Sequence, residues 1–264
     1  EGRISADTAE AVLRVESGYG TTSVFINRGR LESPGGILEL GGSGRWVFDE
    51  GSSLSSHGGR IQIAAVIDIT DRVFSLSAAT GDIHILYGGF VGGTITSSDG
   101  AGLRVDGQIG PSVVAGLVGV HLNAPVWVYN VGELRIFDGL TLDSTITIGR
   151  GLTGATSGTM SFFQTSPLQT LTGIGEVVFD YPSGIHRPDQ IRNWLSVGQG
   201  VTLTIEEGIT IRGRGGLVRS EIGGTIVNHG TISADGDGLI AVTQVGTGQF
   251  INHGRLDASG AGVL

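Results

Sequence analysis

The chain has 264 residues, of which 48 are glycine, 6 proline and none cysteine, with a formal net charge of −9. Glycine at this density excludes a helical protein, because each helical glycine costs roughly 1 kcal/mol relative to alanine. The absence of cysteine excludes disulfide staples, thiolate metal sites and cysteine nucleophiles. All 16 basic residues are arginine and no basic stripe stands clear of acidic neighbours. Nucleic acid and anionic membrane surfaces are therefore poor partners. No apolar run reaches the roughly 18 residues of a membrane span, so membrane insertion is not expected.

Read from the N-terminus, the chain is a string of short apolar or alternating runs separated by Gly, Ser, Asn and Asp. Residues 25–38, FINRGRLESPGGIL, hold the first clear phrase, and residues 42–49, GSGRWVFD, a second. Ile61-Gln62-Ile63 alternates with the period of two that marks a strand. Weaker copies of the first phrase follow at 90–103 and 128–136, and the second returns at 173–180 as GIGEVVFD. Val201–Ile205 and Ile209-Thr210-Ile211 alternate again. Residues 224–240, GTIVNHGTISADGDGLI, and 248–264, GQFINHGRLDASGAGVL, repeat each other at an offset of 24. A period of 19 to 25 residues with two or three short strands per copy describes one coil of a solenoid. The reading is all-β: a right-handed parallel β-helix over residues 1–264, a single domain of about a dozen coils. Its handedness follows from the general rule for parallel crossovers.

Stacked coils place like residues over like residues, which predicts an asparagine ladder from Asn27, Asn228 and Asn252 at the recurring N-x-G turn. Phe25, Leu31, Ile226, Ile232, Phe250 and Leu256 are predicted to point inward. The phrase [FI]-[IV]-N-x-G-x-[IL]-x-[AS], followed by G-G-x-L-x-L, resembles the degenerate repeats of bacterial secreted β-helix proteins. These are the filamentous-haemagglutinin-like adhesins, autotransporter passengers and large cell-surface repeat proteins. The resemblance implies a secreted or cell-surface structural or adhesive protein. The open phrase at both termini implies coils, or copies of the chain, stacked end to end into a filament.

Few residues carry chemistry. His229 and His253 supply two imidazoles where a zinc site needs three or four ligands, so neither a metal nor a cofactor is expected. Asp235-Gly236-Asp237-Gly238 reads as turn chemistry. Thr94-Ile95-Thr96, Thr145-Ile146-Thr147 and Thr202-Leu203-Thr204 read as strand formers. Asp68, Asp71 and Arg72 form the nearest local charged cluster, and no general acid–base pair is evident, which predicts a protein that is not an enzyme. The interruption is 181–200, YPSGIHRPDQIRNWLSVGQG, with two prolines and a short-helix pattern from Pro188 to Trp194. It is predicted to leave the coil as a loop, where binding residues concentrate. Tyr181, His186, Arg187, Asp189, Arg192 and Trp194 are its candidate ligand-binding residues, of types that stack on and hydrogen-bond sugars or a protein surface. They support the alternative reading, a glycan-binding or polysaccharide-cleaving β-helix.

Overall fold

A computed structural model describes residues 2–18, 20, 22–106, 114–149, 157–163, 166–181 and 193–264, with side chains from 116 onward in the segment that opens at 114. These residues form a β-solenoid of about 10 turns with about 24 residues per turn, every strand pair parallel and no helix among them. The coil count is therefore nearer ten than a dozen, because the two longest coils absorb residues that a strict repeat would assign to further copies.

Each coil has three faces. Face one is an unbroken sheet of eleven strands, from Val12–Glu16 to Arg255–Ala258. Face two runs through ten strand positions, from Val24–Asn27 to Ile240–Gln244. Face three opens with Arg3–Ser5, Arg30–Glu32 and Ser53–Ser55. It resumes at Val73–Leu76 and ends at Gln249–Asn252. Two long strands, Val114–Asn123 and Gly132–Leu142, bend from face two into face three. Gly119 and Asp138-Gly139 take positive φ at these bends, the conformation such a corner requires.

Parallel in-register stacking turns each inward position into a column. On face one the column reads Leu13, Leu38, Ile61, Ile83, Leu103, Val126, Ile146, Val177, Ile211, Ile232 and Leu256. From Leu38 to Ile232 each member is fully buried, whereas Leu256 is 42% exposed and Leu13 is half-buried. Of the residues predicted to point inward, Leu31, Ile226 and Ile232 are buried. Phe25 and Phe250 pack against the core but are half-buried, and Leu256 is exposed. The physical reason is that their coils have a neighbour on one side only. An aromatic series, Phe25–Trp46–Phe48–Phe74–Phe90, fills the interior of the first four coils, with ring centroids 4.1 to 6.4 Å apart.

Along the face-one column the steps from Ile146 to Val177 and from Val177 to Ile211 are the long ones. Both additions fall at the corner from face one to face two, between Ile148 and Gly158 and between Asp180 and Asn193. The expected excursion at 181–200 therefore ends early. Asn193–Val197 is a face-two strand, in register with Gly158–Phe162 and Gly216–Ser220. Asn193, Leu195 and Val197 are buried and Trp194 and Ser196 turn outward. The short-helix pattern fails at Asn193 and Trp194; the rest of the excursion, 182–192, lies outside the described residues.

Candidate binding face

The N-x-G turns are built alike. Asn27, Asn228 and Asn252 each donate from Nδ2 to the carbonyl of the glycine two residues on, at 3.3, 3.2 and 3.1 Å. Asn228 Nδ2 also donates to Asn252 Oδ1 at 2.8 Å, so these two form the ladder. Asn27 does not join it: the residue in register on the next coil is Phe48. His229 and His253 stack with ring centroids 5.2 Å apart and 21° between planes. Among the described residues, no three His, Cys, Asp or Glu side chains converge as metal ligands would.

The charged cluster at 68–72 resolves into turn and cross-coil contacts. Asp68 accepts from Arg45 Nη1 at 2.8 Å and from the Thr70 amide at 3.1 Å. Burial alone would raise its carboxyl, but Thr70 and Arg45 together hold it below the ordinary carboxylate value. Arg72 donates to the Phe48 carbonyl at 2.6 Å, and Asp71 sits at a positive-φ turn. The three threonine pairs do not share a face: Thr145 and Thr147 lie on face one, Thr94, Thr96, Thr202 and Thr204 on face three.

The site that does assemble lies on face two, beside the corner with the longest connections. Its outward side chains form two rows across four strands. One row is Glu133, Thr159, Trp194 and Leu217; the next is Arg135, Ser161, Ser196 and Arg219. Ser196 Oγ donates to Ser161 Oγ at 3.0 Å. The arginines that end the row each lie over an aromatic ring, Arg135 over Phe163 at 4.6 Å and Arg219 over Trp194 at 5.4 Å. Each also meets a carboxylate two residues along its own chain, Arg135 to Glu133 at 3.0 Å and Arg219 to Glu221 at 2.9 Å. A groove of about 490 Å³ is lined by Glu133, Thr159, Ser161, Trp194 and Ser196 of these rows, together with Val131, Phe163, Gly198, Gln199, Glu221 and Ile222.

The groove combines hydroxyls and an amide with an indole, a phenyl ring and aliphatic edges, and its two carboxylates, Glu133 and Glu221, are paired to Arg135 and Arg219. Such a surface suits an uncharged polar ligand better than an anion or a cation. Glu133 and Glu221 stand at opposite ends of the four strands, each paired with an arginine of its own segment. Of the predicted residues, Trp194 lines this groove. Tyr181 does not: it sits at the corner, where its carbonyl accepts from Arg214 Nε at 2.7 Å. His186, Arg187, Asp189 and Arg192 lie outside the described residues. Sequence reasoning missed Arg135, Ser161, Ser196 and Arg219, because they come together through register between segments up to 84 residues apart. No protein-family model, curated protein or solved structure matches the chain.

Proposed function

We propose that the chain is a non-enzymatic structural or adhesive β-solenoid segment of a secreted or cell-surface protein or filament that self-associates end to end. The observation that carries this reading is the state of the end coils. Ile4, Leu13, Val15 and Phe25 are only partly buried, although Leu31, Leu38, Leu40 and Trp46, one coil further in, are at most 1% exposed. Phe250 and Leu256 repeat the contrast against fully buried Ile226 and Ile232. Inward apolar side chains and unpaired parallel edges at both ends favour stacking on a further coil. A head-to-tail contact of that kind generates a filament. The repeat phrase and its resemblance to surface β-helix repeats support the location.

Light scattering tests the reading. The apparent mass should rise with concentration, and Leu256→Asp, which charges the open end, should lower that rise. A mass that stays at one chain at every concentration contradicts it.

The groove at Trp194 favours a second reading, binding of a neutral glycan on face two. Neutral oligosaccharides should shift the Trp194 indole resonance, and Trp194→Ala should abolish binding. A panel of neutral glycans that leaves that resonance unmoved excludes it.

A further inference from the structure

Among the described residues, face three is interrupted at one place. Ser53–Ser55 pairs with Arg30–Glu32, and Val73–Leu76 with Thr94–Ser97. These two successive strands do not pair with each other, and their Cα atoms lie mostly beyond 8 Å. Paired strands stand ~4.8 Å apart, so one omitted strand would separate its neighbours by ~9.6 Å. The coils stay joined at both ends of the gap. Ser56 N–H donates to the Ala79 carbonyl at 2.8 Å, and Arg72 Nη1 to the Phe48 carbonyl at 2.6 Å. Between these ties lies a groove of about 740 Å³.

The backbone groups facing the groove follow from the parallel ladder, in which alternate residues turn to opposite neighbours. Ser53 N–H donates to Gly29 and Ser55 C=O accepts from Ser33, so both residues turn to the preceding coil. Leu54 N–H and C=O are thereby aimed into the groove. Across it, the carbonyls of Arg72 and Leu76 accept from Thr94 and Ser98 on the following coil. Val73 C=O and Ser75 N–H therefore face Leu54 across the opening. Polar backbone on both walls is the arrangement that adds a strand from another chain.

We infer that this groove takes an extended peptide segment of another protein, parallel to the coils, with an apolar residue between two small polar ones. Three guest residues satisfy both walls. The first C=O accepts from Leu54 N–H, and the third N–H donates to Leu54 C=O. The middle residue donates its N–H to Val73 C=O and accepts from Ser75 N–H. That middle residue stands in register with Leu54 and Phe74, which are 9% and 8% exposed and point inward. Its side chain enters the core between them, on a floor that includes the Phe48 ring, 5.7 Å from Phe74. The flanking residues turn outward beside Ser53 and Ser75. The rim carries both signs, Asp49 and Glu50 beside Arg72, and Asp49 is paired with Arg28. The inference is independent of what covers the solenoid ends.

The test is a titration of the isotope-labelled full chain with the blocked peptide acetyl-Gly-Ser-Leu-Ser-Gly-amide, read by amide NMR. The amides of Leu54, Val73 and Ser75 should shift saturably, and exchange of the Leu54 and Ser75 amides should slow about tenfold at saturation. A peptide methylated on the leucine nitrogen, or carrying aspartate for leucine, should bind at least about tenfold more weakly, a loss of ~1.4 kcal/mol. The proposal is overturned if millimolar peptide gives no saturable shift at these amides, or if the N-methylated peptide binds equally well. It is overturned too if Leu54 and Ser75 are as protected as Phe74 in the free chain. Were these amides to shift on concentrating the chain alone, the occupant would be a second copy and not a foreign segment.

Discussion

Asn228 shows how one residue type is selected by a stacked coil. Its side chain is fully buried and spans two coils, holding its own turn through Gly230 and the next through Asn252. The glycine that follows is selected by close approach: a Cβ at Gly230 would stand 2.4 Å from the Ile209 carbonyl oxygen, and one at Gly254 2.1 Å from that of Gly230. Asn228→Ala should therefore destabilise by about 2 kcal/mol, since it removes both hydrogen bonds of a buried side chain, although the Gly230 carbonyl keeps the Arg255 amide as a donor. The exposed Asn252→Ala should cost less than about 1 kcal/mol; urea unfolding of both variants measures the difference. The ladder was legible where the two phrases match over a long stretch. At Asn27 it was not, because the identity of the residue one coil away depends on coil length, and there the register delivers Phe48.

A second residue gives a pH signature. His84 stands on face one between Gln62 and Arg104, and burial, then Arg60 and Arg104, push it down to about 4 against the opposing pull of Asp82 and Asp106. The unfolded chain takes up this proton near its ordinary value while the folded chain resists it. Stability should thus be fully present above about pH 6.5, fall as the pH drops toward 4, and level off below that. The loss from this group should approach about 3 kcal/mol. Chemical denaturation from pH 7 to 4 measures it, and His84→Gln should flatten that part of the profile.

At the scale of the strand, the column governs energetics. Ile226 and Phe250 occupy the same inward position on adjacent coils, yet Ile226 is fully buried and Phe250 is half-buried. Ile226→Ala should cost about 2–5 kcal/mol, and Phe250→Ala less than the ~3–5 kcal/mol typical of a fully buried phenylalanine. Partial exposure should thus hold the cost of Phe250→Ala at or below that of Ile226→Ala despite the larger side chain, and thermal unfolding of the two variants checks it. Strand alternation was legible wherever apolar residues mark the inward positions. It was hidden at Asn193–Val197, where a polar residue starts the strand: Asn193 is fully buried, and its Oδ1 accepts from the Gly158 amide at 3.2 Å. The G-x-G-x-[WVF]-[VI]-[FN] phrase, GSGRWVF at 42–48, GIGEVVF at 173–179 and GTGQFIN at 246–252, is also less specific than a face marker. It leads into face two at Arg45–Phe48, face one at Glu176–Asp180 and face three at Gln249–Asn252, so it marks a corner and not a face. The Trp194 groove was invisible for a different reason. Its two rows are assembled across four strands by register, which no local pattern encodes.

For the whole molecule, a repeat of about 24 residues yields a three-faced stack with one continuous apolar interior. Glycine, the short strands and the low charge content all follow from that one geometry. Like residues stack every ~4.8 Å, so repeated charge repels and repeated apolar or amide side chains reinforce one another. What distinguishes this solenoid lies where the repeat is broken: the Trp194 groove beside the long corners, and the unpaired seam on face three.

The proposed function stands or falls on association of the open end coils. Hydrogen exchange measured at low and high protein concentration tests it most directly, because it reports which surface is covered. Amides at the outer edges of Arg3–Ser5, Val12–Glu16 and Val24–Asn27, and of Gln249–Asn252 and Arg255–Ala258, should gain protection with concentration. Leu103–Asp106 and Val126–Tyr129, in the middle of the stack, should stay unchanged. Exchange at both ends that is the same at every concentration would contradict it.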